Sequence, residues 1–367
     1  MFVAIMLRSA EITATITQAA KEAGFDLVGV APAEDAPELE YFPRWIAEGH
    51  GGEMKYLEAR DEQGRLKRAS LAHAAPWARS IVVCAINYNA AQPYSTQATG
   101  DSKQERGWIS RYAWGPQDYH DAVMLRLRQV EAAVREACGT DDLVTRCYVD
   151  TGPIVERVAA KYAGIGWIGK NTCIINQKVG SWIFLGVMLT SLDLQADLEP
   201  GLPAPDRCGS CTRCIDACPT DALIAPYQLD SNKCISYLTI EKRGAIPDEL
   251  RSGMGRHIFG CDICQDVCPW NRKAPAANAA EFQPRPELVN PALDWLAEIS
   301  AEEFRRTFRG SPVRRAKRAG LRRNAVIAMG NSGERNFLPL LDRLAADEDE
   351  VVRGSAEWAV KKLNSAG

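Results

Sequence analysis

The chain has 367 residues, 46% of them hydrophobic and 25% charged, with a formal net charge of −3. That composition suits two or three ordinary globular domains. It excludes a fibrous, disordered or wholly polycationic protein, so any nucleic-acid surface has to be a local patch. Twelve cysteines point to a reducing compartment. The start, MFVAIMLRSAEIT, has no basic region ahead of its apolar run, and no stretch reaches the length of a membrane span. A cytoplasmic protein without membrane contact is expected.

Residues 10–24 show helical spacing and end at Gly24, a plausible cap glycine. Phe25–Ala31 reads as a strand, and 44–60 as helix broken by Gly49-His50-Gly51-Gly52. Ser80–Tyr88 is a near-continuous apolar run, the pattern of a strand buried on both faces. Residues 90–107 read as a long polar surface loop or flap. The aromatic-rich stretch 109–120, with Arg111, Tyr112, Trp114 and His120, precedes an amphipathic helix over 121–138. Those side chains are either a ligand wall or core.

A strand over 144–149 runs into Asp150-Thr151-Gly152-Pro153. Asp150 therefore sits either beyond a strand end, where α/β sheets bind ligands, or as the N-cap of a helix over 154–162. Gly164-Ile-Gly166-Trp-Ile-Gly169 formally matches G-x-G-x-x-G. It follows a helix and precedes a strand, which is the wrong context for a dinucleotide fingerprint. A glycine-rich loop approached by some ligand is expected there, with Asp193 keeping a nicotinamide alternative open. Trp182–Leu192 is a further buried strand, so residues 1–199 read as an α/β domain.

The segment 200–280 is dominated by cysteines. Cys208, Cys211, Cys214 and Cys218-Pro219 fit the bacterial ferredoxin spacing C-x2-C-x2-C-x3-C-P, and Cys261, Cys264 and Cys268-Pro269 repeat its end. Cys234 takes the missing place, which makes eight thiolates for two [4Fe–4S] clusters. In such runs the fourth cysteine ligates the other cube. One cluster is therefore assigned to Cys208, Cys211, Cys214 and Cys268, the other to Cys218, Cys234, Cys261 and Cys264. Zinc ribbons use C-x2-C but not this run twice. Cys84, Cys138, Cys147 and Cys173 lack ligand spacing and read as core, with Cys173 worth watching beside the glycine loop.

Residues 281–367 open with a Pro- and Ala-rich stretch and continue as helices. Leu321–Met329 aligns with Val352–Val360 at an offset of 31, as in HEAT-type repeats. Between 305 and 323 stand nine cations and no acid, among them Arg314, Arg315, Lys317, Arg318, Arg322 and Arg323. Such a run is either a solvated helix face or a phosphate-backbone surface, and the acidic chain around it favours the second.

DTGPIVERVAAKYAGIGWIGKN, the paired C-P runs, CISYLTIEKRG and the helical tail occur in one order. Together they resemble the epoxyqueuosine reductase family from about residue 10 to the end. The resemblance implies reduction of epoxyqueuosine to queuosine at the tRNA wobble position, the last step of queuosine synthesis. It implies a base-off cobalamin fed by the two clusters, an external donor of flavodoxin or ferredoxin type, and a monomer. It implies Asp150 as proton donor, in a pocket that desolvates it. Around the corrin it places Val155, Glu156, Arg157, Gly169, Lys170, Asn171, Cys173, Ser236 and Tyr237, with Arg65 and Ala113 as weaker assignments. The sequence after residue 55 departs from the family pattern, and the arginine is placed at Arg65. No DxHxxG motif is present among the four histidines, which suits a corrin without a histidine ligand. Other readings are a reductive dehalogenase-like cobalamin enzyme and a ferredoxin-type electron carrier.

Overall fold

The structure is a computed structural model that describes residues 2–97, 105–199 and 201–365. Residues 98–104 of the expected flap lie outside the described residues. The chain forms two compact units, and their boundaries interleave in sequence. The first comprises residues 1–89, 119–211 and 269–279. The second comprises 90–118, 212–268 and 280–367.

The first unit is built on a four-stranded sheet of β1 (Leu27–Pro32), β2 (Ser80–Asn87), β3 (Thr145–Tyr148) and β6 (Ile183–Thr190), in the order β1-β2-β6-β3. Every pairing is antiparallel. The α/β expectation is corrected in that respect: there is no parallel switch point, and the position of Asp150 has to be argued from its own contacts. Helix α1 (Phe2–Glu22) begins earlier than the spacing predicted, and α2 (Tyr119–Cys138) starts two residues earlier. Helix α3 spans Glu156–Tyr162.

β2 is buried along its whole length because both faces of the sheet are covered. Ile81, Val83, Ala85, Val187 and Leu189 pack with Ala159 and Ala160 of α3. On the other face Gly186, paired with Cys84, lies under Val123 and Leu127 of α2; a Cβ there would stand 3.1 Å from Val123. This explains the continuous apolar run. It also makes Cys84 and Cys147 core groups: burial pushes the Cys84 thiol far up and that of Cys147 up to about 12.

Between α3 and β6 the glycine-rich stretch forms a hairpin, β4 (Trp167–Ile168) paired with β5 (Ile174–Ile175). A Cβ at Gly166 would fall 2.2 Å from the Ile175 carbonyl oxygen, so only glycine lets the strands close. No helix follows, which removes the dinucleotide reading.

The second unit has a separate core. Trp108, Trp114, Phe259, Leu293 and Phe308 pack with Leu321, Ala325 and Met329. The last three lie on α5 (Lys317–Ser332), which crosses α6 (Glu350–Ser365) at Gly330, where a Cβ would be 2.8 Å from the Trp358 ring. The two segments matched at an offset of 31 are thus helices of one packed pair. Arg111 and Trp114, candidates for a ligand wall, are core here. The Arg111 guanidinium donates to the carbonyls of Ala90 and Gln92, and the Trp114 indole donates to that of Ile109.

Candidate active site

Strand β3 ends at Tyr148, and Val149 is buried behind it. Asp150 follows with φ +57°, in the left-handed region that costs a non-glycine residue roughly 1–2 kcal/mol. The conformation is held from several sides. The Asp150 N–H donates to Glu156 Oε1 at 2.8 Å. Arg68 Nη2 donates to the Gly152 carbonyl at 2.7 Å while its Nη1 reaches the Tyr56 carbonyl at 2.9 Å. Gly152 lies so close over the Tyr148 ring that a Cβ would be 2.6 Å from its Cγ. The Asp150 carboxylate accepts from Tyr119 Oη at 3.0 Å and has His120 Nε2 at 3.9 Å. The Tyr119 ring is fixed by stacking on Phe184 at 4.3 Å and 4°. Helix α3 starts only at Glu156 and its cap position is Val155, so Asp150 is not a helix cap.

The expected burial of Asp150 is not found: its side chain is 58% exposed. Its neighbour Glu156 is the more deeply buried acid. Burial pushes Glu156 up to about 8, and the Asp150 carboxylate beside it pushes the same way, against Arg157 and Arg68. The exposed side chain of Asp150 and the raised carboxyl of Glu156 are thus joined through one backbone N–H.

The other corrin candidates separate by unit. Arg65 lies on the surface in a 2.8 Å ion pair with Asp61, and the arginine at the site is Arg68, one turn later. This corrects the Arg65 assignment. Val155 and Glu156 flank the Asp150 loop, and exposed Arg157 donates to the Thr172 carbonyl at 2.9 Å. Gly169, Lys170, Asn171 and Cys173 form the β4–β5 turn, closed by the Gly169 N–H on the Cys173 carbonyl and by Thr172 at φ +65°. Asn171 is buried, and its Oδ1 accepts from the Cys173 N–H. Lys170 turns to the first cysteine loop, donating to the carbonyls of Gly209 at 2.6 Å and Cys211 at 3.0 Å. Ala113 is fully buried in the core of the second unit, so it presents no surface there. Ser236 and Tyr237 lie on α4 (Ile235–Ile240) of that unit, half-buried and buried.

Four cysteines of one proposed cluster, Cys218, Cys234, Cys261 and Cys264, fall within the second unit. Burial pushes the Cys261 thiol well up, and Cys234 and Cys218 stand near enough to add to it. Two residues of α5 hold this frame. The buried Arg323 guanidinium donates to the carbonyls of Leu238, Lys242 and Gly244, and Asn324 Nδ2 to those of Thr239 and Ile258. They tie α4, behind Cys234, to the strand His257–Phe259 that leads to Cys261. Among the described residues no three His, Cys, Asp or Glu stand close enough to hold a single metal ion. Thiolates around a four-iron cube have to be spread more widely than those around one zinc.

The cationic run divides by burial. Arg322 and Arg323 are 6% and 1% exposed; Arg322 forms a bidentate pair with Asp347 at 3.2 and 2.6 Å. Both are structural, which corrects their assignment to a tRNA surface. Arg315 pairs with Glu241. Arg318 is half-buried and donates to the Ile299 carbonyl. Arg305, Arg306, Arg309, Arg314 and Lys317 are exposed.

Residues 207–271 match the 4Fe-4S double cluster binding domain, and residues 68–151 match the family described as Epoxyqueuosine reductase QueG, DUF1730. The epoxyqueuosine reductase of Pseudomonas aeruginosa is 38% identical over 358 residues, covering 96% of this chain and 95% of that protein. That of Synechocystis is 41% identical over 303 residues, covering 81% and 98%. A crystal structure of epoxyqueuosine reductase with an epoxyqueuosine-modified tRNA-Tyr stem loop is 34% identical and superposes with a TM-score of 0.83, covering 96% of this chain and 90% of that one. The Bacillus subtilis enzyme, captured with its catalytic aspartate loop swung out of the active site, is 33% identical with a TM-score of 0.83 over the same shares. A chain matched along nearly its whole length, with a segment that fits the double cluster domain, belongs to the epoxyqueuosine reductase family.

Proposed function

We propose that the protein reduces epoxyqueuosine to queuosine at the wobble position of tRNA, with Asp150 as proton donor. The observation that carries the catalytic assignment is the Asp150 loop. A left-handed, open carboxylate is held by Glu156 and Arg68 and touched by Tyr119, in a chain whose whole-length relatives bear this activity. Loss of one oxygen from an epoxide takes two electrons and two protons. Ring opening breaks one C–O bond and leaves an alkoxide on the other carbon, which a positioned acid protonates to a hydroxyl; the second proton lets that oxygen depart as water when the second C–O bond breaks. Asp150 delivers the first proton once bound substrate covers its carboxyl group, Tyr119 orients the group through a 3.0 Å hydrogen bond, and His120, at 3.9 Å, is placed to supply a further proton.

Two [4Fe–4S] clusters fit the eight cysteines by type and spacing, assigned as Cys208, Cys211, Cys214 and Cys268 for one and Cys218, Cys234, Cys261 and Cys264 for the other. Cobalamin fits an open carboxylate beside a loop with little side-chain bulk, and the chain offers no DxHxxG ligand. Bound base-off, it supplies electrons to the epoxide. In the first unit Val155, Glu156, Arg157, Gly169, Asn171 and Cys173 would hold it, with Arg68 in place of Arg65; Ser236 and Tyr237 are assigned by the resemblance alone. By role, residues 1–199 serve cofactor and substrate and 200–280 carry electrons. Residues 281–367, read as a HEAT-type pair, meet tRNA through Arg314 and Lys317 with parts of Arg315 and Arg318. A cytoplasmic monomer served by a flavodoxin- or ferredoxin-type donor completes the proposal, and no helix among the described residues is long and apolar enough to cross a membrane.

The test is turnover by anaerobically purified protein with strong reductant and epoxyqueuosine-bearing tRNA, with and without cobalamin, read by nucleoside mass spectrometry. Cobalamin-dependent loss of one oxygen is expected. No change in mass while the clusters accept electrons overturns the proposal.

A further inference from the structure

The hairpin β4–β5 does more than supply a tight turn. The indole of Trp167 is 2% exposed, and its Nε1–H points at Cys208 Sγ, 3.5 Å away. Its orientation is built in. Trp270 packs edge-on against it at 5.1 Å and 77°, and the glycine before it leaves no room for the strand to rotate. Three residues further along the turn, the Lys170 ammonium lies on the Gly209 and Cys211 carbonyls of the same cysteine loop. All these groups belong to the first unit. A buried indole N–H has to find an acceptor, and here the acceptor is a cluster sulfur rather than a carbonyl.

We propose that Trp167 and Lys170 are redox-tuning residues that raise the reduction potential of the cluster bound through Cys208 and Cys211. Taking up an electron adds negative charge to the cube and its thiolates. A donor aimed at a ligand sulfur stabilises that charge, and a nearby ammonium does so through space. Both act on the reduced state more than on the oxidised state, so both shift the potential in the same direction. Lys170 thereby takes an electrostatic role toward the cluster, distinct from the corrin contact that the family resemblance suggested for it.

The test uses the full chain with both clusters loaded, titrated electrochemically under anaerobic conditions and followed by electron paramagnetic resonance. Trp167→Phe keeps the ring and removes the N–H. Lys170→Met keeps the stem and removes the charge. Each is expected to move one cluster midpoint to a more negative potential and leave the other in place, with iron content unchanged, and the double variant to move the same midpoint further. Two unmoved midpoints, or two that move together, overturn the proposal. If Trp167→Phe sheds iron, Lys170→Met alone decides. If both variants shed iron from that cluster, the contacts serve to hold the loop and the tuning role is overturned.

Discussion

Glu156 Oε1 accepts a hydrogen bond from the backbone N–H of Asp150 at 2.8 Å, so the raised acid of the site fixes the loop that carries the open one. The folded state keeps the Glu156 proton to about 8, whereas the unfolded chain releases it near 4.5. Between those values the folded state binds more protons, so this group makes stability fall as pH rises, by up to about 1.4 kcal/mol per pH unit. Glu156→Gln should flatten that slope. Urea midpoints for both proteins across the window provide the check; parallel slopes would place the proton elsewhere.

Asp150→Asn retains the size and the left-handed tolerance of the residue but not its acidity. Turnover should fall on the order of 100-fold or more, with cluster spectra and tRNA affinity unchanged. Single-turnover mass spectrometry with a filter-binding control measures both. Undiminished turnover removes Asp150 from the chemistry.

Arg68 joins the Gly152 carbonyl to that of Tyr56. Arg68→Ala should release the Asp150 loop and lower kcat on the order of ten-fold, since a displacement of about 1 Å at a reacting group has costs of that scale or larger. Arg65→Ala, on the surface, should leave kcat unchanged. Equal losses in the two variants would contradict the assignment of Arg68.

The burial pattern splits the cationic run into two experiments. Arg314→Glu with Lys317→Glu should weaken tRNA binding and reduce the log–log salt slope by about 1.5, near 0.7–0.9 per phosphate contact. Arg322→Ala breaks a largely buried pair and should cost about 3 kcal/mol or more of stability, with the salt slope unchanged. Titration of binding against salt, with parallel unfolding curves, separates the two.

Arg323→Met removes the donors that hold the Leu238, Lys242 and Gly244 carbonyls at the end of α4 and leaves those three carbonyls with one partner fewer. Iron content should fall toward half, as the cluster assigned to Cys218, Cys234, Cys261 and Cys264 is lost. Full iron occupancy would show that the clamp is dispensable.

What the sequence revealed was what depends on neighbours along the chain. The ferredoxin spacing is covalent, and the apolar run of β2 records burial on both faces directly. Asp150 stood out as a strand-end residue, but its exposure is set by how Tyr119, Arg68 and Glu156 meet around its loop, and those contacts span up to 84 positions along the chain, from Arg68 to Gly152. A similar limit applied to the arginines: Arg65 and Arg68 look alike in GRLKRAS, and only tertiary contact shows which reaches Gly152. Arg322 and Arg323 belonged to a charge run on paper because nothing local distinguishes a guanidinium facing solvent from one satisfied by buried acceptors, four of them for Arg323. Trp167 carried no motif; its signal was a tryptophan inside a glycine-rich turn.

Asn271 comes after the last cluster cysteine, yet its Oδ1 accepts from the buried Ser181 N–H at 2.7 Å and its Nδ2 donates to Ser181 Oγ at 2.9 Å. The segment 269–279 that contains it belongs to the first unit. On the ribosome, therefore, the first unit stays unfinished until the cysteines of 212–268 have emerged, and a gene truncated at any single point between the two ends with neither unit whole. The Asp150 loop and the cysteine-rich segment are in this sense one heritable piece, which no simple fusion or deletion can exchange separately.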